Sequence, residues 1–115
     1  ADYAELIENI SSPMQFDPIT VAEKLHKLEL SMIVSWLQKW CYDLVSFQML
    51  GRVYYHHRHE AAIKTIVATT EPKQLINFWK QLVQFQQWSK HPLNARLFLE
   101  ELLLAYIKTC SRISN

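Results

Sequence analysis

The segment ELSMIVSWLQKWCYDLVSFQMLG, residues 29–51, has the longest helical periodicity in the chain. At 3.6 residues per turn, apolar side chains cover about half of its circumference. That half holds Leu30, Ile33, Val34, Trp36, Leu37, Trp40, Cys41, Leu44, Val45 and Phe47. The other half is predicted to be polar and to hold Ser31, Ser35, Gln38, Lys39, Asp43 and Ser46. Gly51, the only glycine, can adopt the positive φ that ends a helix, so the segment predicts a long amphipathic helix that stops at Leu50.

The rest of the chain has the composition of an all-α protein. Half of the 115 residues are hydrophobic, and the scarcity of glycine argues against a sheet with tight turns. Periodicity predicts a single compact helical domain of about five to six helices over residues 1–115. The other helices are predicted at 2–10, from 18 to 27 or 28, at 61–68, from about 72 to 88, and from 92–94 to 108. Asp17 and Asn94 are the predicted N-caps.

The predicted domain divides into a lead-in helix, residues 1–12, and a core, residues 17–108. Because the chain starts in helical pattern without Met, we expect an excised piece of a larger protein. In the helix that ends at Trp88, the buried face is predicted to hold Leu75, Ile76, Phe78, Trp79, Leu82, Val83 and Phe85.

Net charge and cysteine usage narrow the classes of function. Twelve basic and eleven acidic residues give a formal charge of +1, which argues against a whole domain that binds nucleic acid or a membrane surface. No apolar run approaches the roughly 20 residues that span a bilayer, so we expect a cytoplasmic protein. Cys41 and Cys110 form no CxxC pair and are predicted to be reduced thiols.

Motifs for catalysis or cofactor binding are absent from the sequence. A single glycine rules out a GxxxxGK[ST] phosphate loop, and neither GxSxG nor HExxH occurs. We therefore predict no enzymatic activity for this domain, no catalytic residue, no cofactor and no small-molecule substrate. His56, His57 and His59 suggest zinc, but neither cysteine lies nearby in sequence to complete a structural site, so no metal site is predicted.

A basic, aromatic connector follows Gly51 and provides an alternative function. Its cationic side chains, with Tyr54 and Tyr55 between them, form a patch that can contact phosphate or stack on a base. The residues of this alternative, a helical nucleic-acid-binding module over 52–64, are Arg52, His56, His57, Arg58 and Lys64. The other interpretation of the same residues is a solvated connector.

The last helix is apolar on more than one side. Its core row is predicted to be Phe98, Leu99, Leu102, Leu103 and Tyr106, which leaves further leucines and an isoleucine between the charges. Trp88 likewise falls on the polar side of its own helix, so it either packs on the following helix or belongs to an interface, where Trp is enriched. A row of apolar side chains in water marks association, so these residues predict an interface between subunits. Its members are Trp88, Leu97, Glu101, Leu104 and Ile107.

Two stretches of the chain resemble a known family. They are WLQKWCYDLVSFQMLG, residues 36–51, and HPLNARLFLEELLLAYI, residues 91–107, and helix order and spacing agree from about Asp17 to Lys108. The family is the C-terminal domain of the delta-prime subunit of the bacterial DNA polymerase III clamp loader. The resemblance implies a wedge of the helical collar that joins the clamp-loader subunits, with the delta and gamma or tau subunits as partners.

The resemblance also implies a division of labour in the parent protein. The collar would be non-catalytic, while the complex, an ATPase assembly within a DNA-directed DNA polymerase, loads the sliding clamp on primed DNA during replication. Contact with DNA would be only indirect, through that complex, and no membrane is implied. The Ser-Arg-Cys motif that supplies the family's arginine finger does not occur here; Cys110-Ser111-Arg112 has the same three residue types in a different order.

Overall fold

The computed structural model describes residues 2–91 and 94–111, and this part of the chain forms six α-helices and one short 3-10 turn. The α-helices are α1 (Asp2–Ile10), α2 (Pro18–Leu25), α3 (Leu30–Leu50), α4 (Glu60–Ala68), α5 (Pro72–Trp88) and α6 (Ala95–Cys110), and the 3-10 turn is His57–His59. The all-α prediction is confirmed, with most bounds within two residues of those expected.

Helix ends follow the predicted chemistry. The Asp17 carboxylate accepts a hydrogen bond from the backbone N–H of Ile19 at 3.0 Å, and the Asn94 side chain accepts from Leu97 N–H at 3.0 Å. Gly51 has φ +70° and donates its N–H to the Phe47 carbonyl, so it ends α3 in the left-handed conformation that glycine adopts without strain.

The helices pack in a chain of neighbours around one core. The longest, α3, packs against α4 on one side and α5 on the other; α5 in turn contacts α6, and α6 contacts α2. Buried aliphatic and aromatic side chains from all six helices form one hydrophobic cluster. The apolar stripes of the separate helices are therefore buried against one another, which supplies the main stabilisation.

A buried hydrogen-bond chain links three of these helices. The indole Nε1–H of Trp40 donates to the Tyr106 hydroxyl at 2.9 Å, and that hydroxyl donates to the carbonyl of Ile10 at 2.5 Å. All three residues have no exposed surface. Burial also raises the pKa of the Tyr106 phenol well above its usual value, so the group stays protonated and can donate. Thus α1, α3 and α6 meet at one hydroxyl.

Both cysteines are free and buried, as predicted. Burial raises the pKa of the Cys110 thiol to about 12 and that of Cys41 further, so neither thiol is ionised near neutral pH. No helix in the part of the chain that the structure describes is long and apolar enough to cross a membrane.

The buried face of α5 is narrower than predicted. Leu75, Phe78, Leu82 and Phe85 are buried, but Val83 is 47% exposed. Val83 lies about 120° around the helix from the centre of the buried row, on the side where α3 leaves an open cleft. The expectation that Val83 is buried was therefore wrong.

We predict that Tyr106→Phe lowers the free energy of unfolding by about 2–4 kcal/mol, because both the Trp40 indole N–H and the Ile10 carbonyl lose their buried partner. Urea denaturation followed by circular dichroism measures this loss.

The matched control is Tyr42→Phe, which removes a hydroxyl from a side chain that is 37% exposed. Its unfolding free energy should stay within about 0.5 kcal/mol of the original chain. Equal stability of the two variants would contradict the role given to the Tyr106 hydroxyl.

Candidate interface between subunits

Three large apolar side chains stand exposed where α5 and α6 run together. Trp88 is 56% exposed, Leu97 is 53% exposed and Leu104 is 46% exposed. On α6, Leu97 and Leu104 are separated by about 20° around the helix, so they share one face. Trp88 is held by the edge of its ring against Phe85, at a centroid distance of 5.7 Å, and it points away from the core.

Glu101 links these side chains into one surface. It lines a cleft of about 340 Å³ together with Trp88 and Leu97, and it also lines a second cleft of about 660 Å³ together with Leu104. The structure therefore brings together four of the five residues predicted for the interface, in a groove between α5 and α6. We call this set (Trp88, Leu97, Glu101 and Leu104) the α5–α6 groove.

Ile107 lies apart from the other four. It is half-buried and about 80° around α6 from Leu97. Arg96 and Glu100 occupy that side as well, and Arg96 pairs there with Glu23 of α2 and with Glu100. Because α2 packs on α6, this flank is partly covered within the chain itself.

The connector after Gly51 is organised by a buried carboxylate. Asp43 has no exposed surface, and its two oxygens accept the backbone N–H groups of Tyr54, Tyr55 and His56 at 2.8–3.2 Å. The Nδ1–H of His56 donates to the same carboxylate at 2.8 Å. Four donor groups therefore compensate the charge, and the connector is pinned to the middle of α3.

A second link extends this network to α1. The Nε2 atom of His56 lies 2.5 Å from the hydroxyl of Tyr3, and Trp40 covers the imidazole at a centroid distance of 5.3 Å. Burial and, second, the charge of Asp43 raise the pKa of the Tyr3 phenol. Both ring nitrogens of His56 are thus used inside the protein.

The basic patch predicted for nucleic acid is consequently incomplete. His56 is buried and directed inward, whereas Arg52, His57, Arg58 and Lys64 are exposed. His59 is partly buried and its Nε2 lies 3.0 Å from the Glu8 carboxylate. Most connector side chains are exposed, as the interpretation of a solvated connector predicts, while its backbone is bound to the domain through Asp43.

The sequence analysis placed Asp43 and Ser46 on the polar half of α3, and the structure buries both. For Asp43 a signal was available: Trp36, Phe47 and Trp40 lie within about 60° of it around the helix. A carboxylate beside three large aromatics is expected to be buried and paired. The hydrogen-bond partners of Asp43 could not be predicted from the sequence, because they are backbone N–H groups of a loop.

No group of three or more His, Cys, Asp and Glu side chains is placed to hold a metal ion within residues 2–91 and 94–111. Of the Cys-Ser-Arg run at 110–112, Arg112 lies outside the described residues.

A family model described as "DNA polymerase III, delta subunit, C terminal" matches residues 1–108 of the chain. Neither the comparison with curated proteins nor the comparison with solved structures found a match to this chain.

We predict that Asp43→Asn lowers the free energy of unfolding by about 2–4 kcal/mol. An amide has one acceptor oxygen in place of two and sets its NH₂ group against backbone donors, so buried N–H groups lose their partners. Thermal or urea unfolding measures the change.

The same chemical substitution at an exposed site, Asp17→Asn, provides the control. Asn caps helices as well as Asp, so stability should change by less than about 0.5 kcal/mol. An Asp43→Asn protein as stable as this control would show that the carboxylate charge is dispensable.

Proposed function

The chain belongs to the family of DNA polymerase III delta C-terminal domains, and on that premise we propose that it is the helical collar domain of a bacterial delta-prime subunit. In this role it is non-catalytic and cytoplasmic, and it holds the clamp-loader subunits together while the assembled complex loads the sliding clamp during DNA replication. Its partners are the delta and gamma or tau subunits. The assignment to delta-prime rests on the resemblance of residues 36–51 and 91–107.

The observation that carries the proposal is the α5–α6 groove. A half-exposed leucine still contributes on the order of 1 kcal/mol when a partner covers it, and the groove aligns two leucines with a tryptophan. Trp is one of the residue types enriched at binding hot spots.

The charges along the groove suit a contact with an unlike surface on the partner subunit. Glu101 lies between the leucines, while Lys80 and Lys108 line the same cleft as Leu104. An apolar centre with a charged rim is the usual anatomy of a protein interface. Contacts between unlike faces of successive subunits generate a ring when the rotation closes, which is the arrangement a collar requires.

Replacing Leu97 and Leu104 together by Asp should weaken assembly with the other clamp-loader subunits by on the order of 100-fold, because two apolar contacts are lost and two carboxylates are buried. Size-exclusion chromatography of the protein with purified partner subunits measures assembly, and circular dichroism verifies that the helices persist.

Met14→Asp with Ile19→Asp is the control pair. Both residues are 59% exposed and line neither cleft of the groove, so assembly should be unchanged. Full assembly of a folded Leu97→Asp, Leu104→Asp protein would refute the interface.

A further inference from the structure

A second surface lies on the other side of α5. Trp79 and Trp88 are about 180° apart around this helix, so the Trp79 side faces away from the α5–α6 groove. There, residues of α3, α5 and the connector line a solvent-open cleft of about 370 Å³. Tyr42, Tyr55 and Trp79 line it with Lys39 and Gln38, and we call it the aromatic cleft.

Its aromatic rings form a cluster around Tyr42. The ring centroids of Tyr54, Tyr55 and Trp79 lie 5.6, 5.7 and 5.7 Å from that of Tyr42. Tyr54 is 43% exposed and Tyr55 is 53% exposed, so the cluster remains open to solvent. The hydroxyls of Tyr42 and Tyr55 and the indole N–H of Trp79 have no hydrogen-bond partner among the described residues. Three polar groups therefore remain available beside apolar ring faces.

The walls of the cleft are held in place from behind. Asp43 binds the backbone of Tyr54 and Tyr55, which positions both rings against α3. On the α5 side, the Gln86 amide donates to Ser35 Oγ at 3.1 Å and to Gln38 Oε1 at 3.3 Å. A site that is ordered before binding loses less conformational entropy when a ligand arrives.

Charge narrows the class of ligand. Lys39 is the only charged residue that lines the cleft in the described structure, and its Nζ lies 5.7 Å from the centre of the Tyr55 ring. Among the described residues no carboxylate lines it, which favours a ligand with negative charge. Single-stranded nucleic acid is held by a groove of several cations that follows the phosphates, whereas here there is one.

An extended peptide fits these features better. A polyproline II segment presents apolar pyrrolidine rings and backbone carbonyls without internal hydrogen bonds, and proteins bind it in grooves lined by aromatic rings. Tyrosine hydroxyls, an indole N–H and an amide can donate to its carbonyls, and one cation can pair with a neighbouring acidic side chain. We propose that the aromatic cleft binds an extended, proline-containing peptide segment of a partner protein that carries an acidic residue beside the prolines.

The test uses the 115-residue chain and three synthetic probes: a hexaproline peptide ending in two aspartates, the same peptide ending in two lysines, and a twelve-residue oligothymidine. Binding is measured by isothermal titration calorimetry and by NMR shifts of the indole N–H groups. The acidic peptide should bind and shift the Trp79 indole signal, and it should bind roughly two- to fivefold more tightly than the lysine peptide, the range that one exposed ion pair supplies. Lys39→Met should abolish that preference.

Tyr55→Ala should weaken binding of the acidic peptide by about fivefold or more, because it removes an aromatic ring that lines the cleft. Tyr55 is exposed, so the change should not unfold the domain. Ile19→Ala is the control: Ile19 lies on α2, is 59% exposed and lines neither the aromatic cleft nor the α5–α6 groove, so this change should leave binding unchanged.

Three results would overturn the proposal: no binding of either peptide, binding of the oligothymidine alone, or equal binding by Tyr55→Ala and the original chain. Concentration-dependent shifts at Trp79 without any peptide would also overturn it and would assign the cleft to a second copy of the chain. None of these outcomes depends on the α5–α6 groove, so collar assembly and peptide binding can fail separately.

Discussion

The hydroxyl of Tyr106 is the point on which the arrangement of this domain depends, because it joins α3 through Trp40 and α1 through the Ile10 carbonyl. It has no exposed surface, so each bond forms where an unpaired polar atom would be costly. With Tyr106 fixed inward, the helical repeat places Leu97 and Leu104 on a different side of α6, where the chain itself leaves them exposed. The internal constraint and the proposed outer surface are therefore two consequences of the same helix orientation.

A comparable division occurs on α5. Its buried row faces the core, and its two flanks carry Trp79 and Trp88 in opposite directions. Beside α6, Trp88 lies with Leu97 of that helix, and this flank suits a packed contact with a neighbouring protein. Beside α3, Trp79 lies with Tyr42 and Tyr55, and this flank suits a smaller, more polar ligand. One helix can thus serve two surfaces because its neighbours, α3 and α6, lie on different sides of it.

Much of this structure could be predicted from local chemistry. Helix existence, the Asp17 and Asn94 caps and the left-handed Gly51 depend on residues within a few positions of one another, and all were confirmed. Four of the five residues proposed for an interface lie along the same groove, since their positions follow from the period of α5 and α6; their role as an interface stays a prediction. What failed depended on distant partners. Asp43 was assigned to solvent because its hydrogen bonds come from a loop 11 to 13 residues further on, and Val83 was assigned to the core because the open cleft beside α3 is not encoded in the pattern of α5. The aromatic cleft was missed for the same reason: Tyr42, Tyr55 and Trp79 belong to three segments that only the packing brings together.

The central claim is that a neighbouring protein of the clamp loader covers the α5–α6 groove. It is tested most directly by placing a single thiol in the groove with Leu104→Cys and measuring its rate of reaction with a maleimide, before and after assembly with the other clamp-loader subunits. Cys41 and Cys110 are buried and add little background. A reference thiol from Ile19→Cys, outside the groove, reports any general shielding. The account predicts that the thiol at position 104 reacts readily in the isolated chain and becomes strongly protected in the complex, while the thiol at position 19 does not. Equal reactivity at position 104 in the isolated and assembled states would contradict it.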